Sequence, residues 1–464
     1  MRYFLLGLCL LLPTLSFAQD GHEIKVSIDG FDGDELYLAY HLGDKQYVKD
    51  TTYRESDGTF RFTRKDEKLD PGMYMVIIPP QNNFMELVMV EDEQHFSVSA
   101  SVVDLVGTAK FEGAADDNRL LYQYLNFLNT QRTKAESLNS RKKSSTDQTE
   151  IKTIVSEQEA IDELVSFYQS RLINDNPKSL TTAIVKANLP LDYSGLEDQS
   201  NDSKWRFAQE HWFDNIDLKD ERLVKTPILA QKVDYFIEKL QIQQAEEVIT
   251  AVDKVLSMMD SNGEAFKFFL IRFLNKYAKS KIIGMDEVYV HLAQNYYAKG
   301  LAPWSEPDQL NKIINDANTL EPLLIGKIAP DLALQTKDGF TVNLHDLDSE
   351  YTVVYFWRPD CEKCKEDNPD LEAFFQAYKA KGVKIAAVCT NGKSDAQACW
   401  DYVDENNYSE WIHLGNPMNN DDISKAYKAT FTPLIYLLDR DKKIVSKRIS
   451  AKQLSEVMDD ILDN

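Results

Sequence analysis

Two cysteines three positions apart, Cys361 and Cys364, with Glu362 and Lys363 between them, are the residues of this sequence best suited to chemistry. A cysteine thiolate is a nucleophile and a metal ligand, and two sulfurs one helical turn apart can close into a disulfide. The pair therefore admits thiol–disulfide exchange, half of a zinc site, a peroxide-reducing thiol, or a permanent staple. Zinc needs a second pair of ligands, and the remaining candidates, Cys389 and Cys399, are separated by nine residues rather than the two to four of such sites.

The elements around the motif narrow the choice. Thr352 to Trp357 is a continuous apolar run suited to a buried central strand. After Arg358-Pro359-Asp360 and the cysteines, Leu371, Phe374, Phe375 and Tyr378 recur at helical spacing, and Gly382 to Val388 returns as a second buried strand. The unit reads as βαβ with the cysteine pair at the strand-to-helix junction. A sulfur at a helix N-terminus faces unpaired N–H groups and the positive end of the dipole, which favour thiolate over thiol. Cys361 is thus the expected nucleophile, and Cys364, one turn on, the resolving thiol that closes the disulfide. Cys389 and Cys399 follow the second strand and are either a second disulfide or two buried inert thiols.

Around this unit the chain changes character twice. From Ile24 to Phe111 short alternating runs are broken by turns such as Asp57-Gly58 and Pro71-Gly72, so an all-β domain of sandwich or barrel type is expected over 19–113. Helical periodicity follows, as in Leu120, Leu121, Tyr124, Leu125 and Leu128, and predicts an all-α domain over 114–324, with Arg141 to Ser145 as a loop between helices. Near Gly326 a hairpin pattern, Asp331 to Leu334, Asp338-Gly339 and Thr341 to Leu344, opens an α/β domain over 325–464 that should fold alone. The upstream histidines, His22, His41, His95, His211 and His291, lack metal-ligand spacing, so no metal is expected. Trp205, Phe207, His211, Trp212 and Phe213 suit core packing better than a binding groove.

Composition sets the remaining bounds. The 464 residues are 43% apolar and 11% aromatic, enough to build real cores. A net charge of -23 with no basic stripe argues against a nucleic-acid partner. Residues 1–18 carry Arg2, an apolar run from Tyr3 to Leu12, and Ser16-Phe17-Ala18, the pattern of a secretory signal peptide. The mature chain would begin near Gln19 and carry no membrane-spanning segment.

Thr432-Pro433 precedes the apolar run Leu434 to Leu438, and Asp439 to Lys442 turns the chain into Ile444-Val445. With the Cys361-Glu362-Lys363-Cys364 motif, Phe356-Trp357 before it and Pro369 five positions after it, this order resembles the thioredoxin superfamily. Ala329-Pro330-Asp331 narrows the likeness to the TlpA/ResA branch of exported thioredoxin-like proteins, and the upstream regions resemble domains preceding such modules in secreted Bacteroidetes proteins. The resemblance implies a redox-active Cys361–Cys364 disulfide as the sole cofactor and Pro433 as a cis-proline. It also implies substrate binding by Trp357, Thr432 and Pro433, and protein or peptide thiols and disulfides as partners. It implies a periplasmic location in a Gram-negative bacterium, a membrane thiol carrier as electron source, and a reducing role. A peroxiredoxin-like peroxidase shares the fold, but such enzymes place Thr or Ser where Arg358 stands here; a non-catalytic envelope protein with a structural disulfide is the other alternative. Two departures from thioredoxin stand out. Tyr355 occupies the position of a buried acid that handles protons for the resolving cysteine, with Glu362 as a possible substitute, and Lys363 replaces the motif's proline. Glu362 and Lys363 are therefore expected to tune the potential, with Asp360 and Glu362 opposing Arg358 and Lys363.

Overall fold

The computed structural model describes residues 21–391, 396–406, 408–415 and 420–463; the expected signal peptide lies outside them. Two units emerge from the contacts, one running to Leu240 and including Gly263–Ala265, the other comprising Gln241–Asn262 and the chain from Phe266 onward.

Among the described residues the first unit has eight strands: β1 (His22–Asp29), β2 (Glu35–Leu42), β3 (Lys45–Tyr53), β4 (Phe60–Arg64), β5 (Gly72–Ile78), β6 (Asn83–Met89), β7 (His95–Ser101) and β8 (Lys110–Gly113). They form two four-stranded sheets, ordered β4-β1-β7-β8 and β3-β2-β5-β6. Ile24, Val26, Leu36 and Leu38 project at period two and are buried, which is why these segments are strands with one wet face. Five helices follow: α1 (Asp116–Ser144), α2 (Gln148–Asp175), α3 (Leu180–Ala187), α4 (Asn201–His211) and α5 (Pro227–Lys239). The basic stretch expected to be a loop is instead the last turn of α1. Arg141, Lys142 and Lys143 sit at its C-terminus, where cations complement the dipole, and the connection is the short segment closed by the Asp147 cap on Thr149 N.

The second unit begins with α6 (Ala245–Ser257), includes α7 (Glu264–Ala278) from Phe266, and continues through α8 (Asp286–Leu292) and α9 (Pro307–Leu320). Then come β9 (Ala333–Gln335), β10 (Thr341–Asn343), β11 (Tyr351–Trp357), α10 (Glu362–Tyr378), β12 (Val383–Cys389), α11 (Ala396–Asn406), β13 (Ile412–Gly415), α12 (Asn420–Tyr427), β14 (Leu434–Leu438), β15 (Ile444–Lys447) and α13 (Ala451–Asp463). The strands form one sheet ordered β10-β9-β13-β12-β11-β14-β15. β11 runs parallel to β12 and antiparallel to β14, so it lies at the centre. Its apolar run serves two cores: Val353, Tyr355 and Trp357 face one and Val354 and Phe356 the other, which a one-sided alternating strand could not do. The chain is therefore multidomain, with a sheet-rich N-terminal region, a central helical region and a C-terminal thioredoxin-like sheet covered by helices.

The sheet does not end its interactions at residue 325. Lys447 on β15 is 3% exposed at its side chain, and its ammonium pairs with Asp286 at the start of α8 and donates to Leu323 O. Burial lowers the Lys447 pKa while Asp286 opposes the shift. Among the described residues, no helix is long and apolar enough to cross a membrane.

Candidate functional site

Strand β11 delivers the chain to the edge of the buried sheet, and α10 begins immediately after. Cys361 is the N-cap of α10, with extended backbone, and its Sγ accepts from Cys364 N at 3.1 Å. This is the position a serine or aspartate cap usually holds, and there the sulfur meets N–H groups that no helical carbonyl satisfies. Cys364 lies one turn in, 1% exposed, and is disulfide-bonded to Cys361 with their Cα atoms 5.3 Å apart. The half-buried Cys361 opens on a cavity of about 580 Å³ whose near wall is Arg358, Glu362 and Lys363 and whose far wall is Ala429, Thr430, Phe431 and Thr432. The Thr432–Pro433 peptide bond is cis and precedes β14. Pro369 lies inside α10.

The charges at the mouth are tied in pairs. Arg358 Nε lies 3.1 Å from Asp360, and Lys365 Nζ lies 2.9 Å from Glu362. Lys363 Nζ contacts Asp367 at 3.0 Å and Glu366 at 3.2 Å, and these hydrogen bonds, Asp367 first, raise its pKa. Lys363 thus spends its charge on carboxylates farther along α10, and its field at Cys361 is correspondingly weakened.

Trp357, which the resemblance places on the substrate side, packs instead under the cysteine helix. It is 4% exposed, lies in the same core cluster as Cys364, and packs on Tyr402 with ring centroids 5.3 Å apart. The aromatic side chain that reaches the cavity is Phe431, 55% exposed. Phe431 could have been noticed beside the Thr432-Pro433 motif; Thr390 and Ile423, which also line the cavity, carry no local signal. Beneath Cys364 the Tyr355 hydroxyl donates to Asn368 Oδ1 at 2.9 Å and to Cys364 O at 3.4 Å, and Asn368 Nδ2 donates to Tyr402 OH at 3.3 Å. Asn368 stands four residues after Cys364, a helical spacing that was readable. Cys389 and Cys399 are joined in a second disulfide, each 2% exposed. Among the described residues, no group of three or more His, Cys, Asp or Glu side chains is placed to hold a metal.

Residues 325–447 match the model of the AhpC/TSA family, and residues 198–313 match a domain of unknown function (DUF5106). The thiol-disulfide oxidoreductase ResA of Bacillus thuringiensis subsp. konkukian is 26% identical over 145 residues, 31% of this chain and 79% of that protein. The sporulation thiol-disulfide oxidoreductase A of Bacillus subtilis is 24% identical over 127 residues, 26% of this chain and 74% of that protein. Among solved structures, a domain of a possible thiol-disulfide isomerase from Cytophaga hutchinsonii is 27% identical with a TM-score of 0.29, covering 31% of this chain and 95% of that one. The segment that carries Cys361 and Cys364 thus matches the AhpC/TSA family model and is similar in sequence to proteins named thiol-disulfide oxidoreductases.

Proposed function

We propose that this protein reduces protein disulfides outside the cytoplasm through the Cys361–Cys364 dithiol. The observation that carries the reading is Cys361 Sγ capping α10 at the mouth of a 580 Å³ cavity while Cys364 lies buried behind it. Cys361 attacks one sulfur of a substrate disulfide, forming a mixed disulfide and releasing the other sulfur as thiolate. Cys364 then attacks Cys361, and the second substrate sulfur leaves, so the substrate gains two electrons and the dithiol loses two. Thr432 and Pro433, on the loop that closes the far wall, pair with the substrate backbone; Glu362 and Lys363 set the potential. The disulfide itself is the only cofactor the reading needs.

Residues 1–18 act as the export signal, placing the mature chain from about Gln19 in the periplasm of a Gram-negative cell, where a membrane thiol carrier would restore the dithiol. Residues 19–113, 114–324 and 325–464 are the domains we assign, with the redox chemistry in the last. Reduction of insulin disulfides by purified protein tests the reading, with peroxide consumption measured in parallel. Insulin turnover that disappears in Cys361→Ser supports it; peroxide consumption without insulin reduction replaces it with a peroxidase, and neither activity leaves a structural disulfide.

A further inference from the structure

In the proposed exchange Cys364 must lose a proton before it attacks, and at 1% exposure it has no solvent to take that proton. Tyr355, at the position of thioredoxin's buried acid, cannot take it as a base. Burial, and then Asp367, push its hydroxyl far above the ordinary tyrosine range, so it stays protonated.

The sheet register brings another group into reach. Tyr355 on β11 pairs with Ala387 on β12, and Ala387 pairs with His413 on β13. Cross-strand partners project from the same face, so Tyr355 and His413 flank the small alanine on one side of the sheet. A cavity of about 10 Å³ is lined by Tyr355, Trp357, Asn368, Tyr402, Trp411 and His413, among others. Three ring nitrogens of these residues, Trp357 Nε1, Trp411 Nε1 and His413 Nδ1, are buried with no hydrogen-bond partner. His413 Nε2 lies 2.6 Å from Tyr408 O, which can only accept, so Nε2 carries the proton and Nδ1 offers a lone pair. Burial holds His413 below the ordinary histidine range, with the Tyr408 hydrogen bond opposing, and so keeps that lone pair free at neutral pH. Two indole donors and one imidazole acceptor around a space of this size are what a single water satisfies.

We propose that one water in this cavity, held by Trp357, Trp411 and His413, carries the proton of Cys364 to His413 Nδ1, relayed by the Tyr355 hydroxyl, which lines the cavity and lies 3.4 Å from the backbone carbonyl of Cys364. The inference rests on the exchange reading above. In the step, the Cys364 S–H bond breaks and its proton passes to the imidazole. The thiolate attacks Cys361 Sγ, the Cys361–Cys364 bond forms, and the bond to the substrate sulfur breaks. That sulfur leaves as thiolate and is protonated from solvent, to which the imidazolium later returns the proton it took. The titratable groups around this path are Tyr355 from β11, Asp367 from α10, Tyr402 from α11, Tyr408 and His413. Asp367 is the rival acceptor, but Lys363 holds it in an ion pair at 3.0 Å.

The test is single turnover of the reduced full-length protein with a quenched fluorescent peptide disulfide, reading the first-order release of the second peptide thiol against pH. In wild type the release rate should climb along a limb below about 6.5, the ordinary histidine value, and level off by neutrality. His413→Gln keeps a donor and an acceptor but cannot titrate, and should remove the limb and lower the plateau about tenfold or more. Tyr355→Phe should slow release comparably, whereas Asp367→Asn should leave the limb in place. A purely structural role for His413 would preserve the limb in the glutamine variant. A wild-type profile without a limb below about 6.5, or a limb abolished by Asp367→Asn and not by His413→Gln, overturns the proposal, and the first of these needs no variant to fold. Absence of any peptide release from wild type would instead strike the exchange reading itself.

Discussion

Cys361 and Cys364 span the first turn of α10 with Cα atoms 5.3 Å apart, and Cys361 looks into a cavity. Cys389 and Cys399 join the end of β12 to α11 with Cα atoms 6.4 Å apart, and both are 2% exposed. The bond is the same in each pair; access and surroundings are not. Exchange requires a thiolate to reach a sulfur, so a disulfide sealed in the core is out of reach of any protein substrate. Cys389 is the register partner of Trp357, and α11 carries Tyr402, which packs on Trp357 beneath the cysteine helix. One disulfide opens on a cavity, and the other braces the core beneath it.

The largest expected effects separate the two pairs by chemistry. Cys361→Ser should abolish insulin reduction, and Cys364→Ser should accumulate mixed disulfides visible on non-reducing gels. Trapping by a Cys389→Ser or Cys399→Ser variant, or equal trapping by both members of the first pair, would break the distinction.

Next in size is the dependence of the whole sheet on its upstream helices. A fragment starting near Leu320 lacks Asp286, the carboxylate that pairs with the Lys447 ammonium in the full chain, and should be destabilised by the loss of that pair. Urea unfolding should show it less stable than a fragment starting at Gln241, and equal midpoints would show that the ion pair contributes little.

Replacing both Cys389 and Cys399 by Ala should cost about 3 kcal/mol, from the loop of ten residues' separation that the disulfide closes. Insulin reduction should fall far less than in the Cys361 variant. Thiol counting on the unfolded, unreduced protein checks the premise: two titratable thiols would mean the brace is absent.

The smallest effect expected is on potential. Lys363→Pro removes a charge already neutralised by Asp367 and Glu366, so the protein should become more reducing by less than the about 30 mV that marks a tenfold change in exchange equilibrium. Equilibration against defined glutathione ratios measures it, and a larger shift would show that Lys363 acts on Cys361 despite its partners.

Much of the second unit was legible because its central strands are buried on both faces. β11, β12 and β14 are uninterrupted apolar runs, and the helix between the first two carries its core residues at helical spacing. β3 was not legible. It is an edge strand with its first five residues exposed, so it shows no alternation, and its pairing with β2 defines it instead. The last turn of α1, Arg141 to Ser144, is not legible as helix because a basic run suits a solvated loop as well as a helix C-terminus. β13, four residues long, is too short to announce itself, and nothing in the local sequence marks His413.

The sequence alone determined what is covalently local: a cysteine pair three positions apart, the strand before it, the helix after it, and so the chemistry of the first sulfur. The tertiary structure decided what depends on distant segments meeting. It put Phe431 rather than Trp357 in the cavity, bonded Cys389 to Cys399, and set Tyr355, Ala387 and His413 in one row across three strands. Such neighbours are fixed by strand register and by the packing of helices on the sheet. A one-residue slip of β13 would turn His413 to the other face while leaving its sequence unchanged.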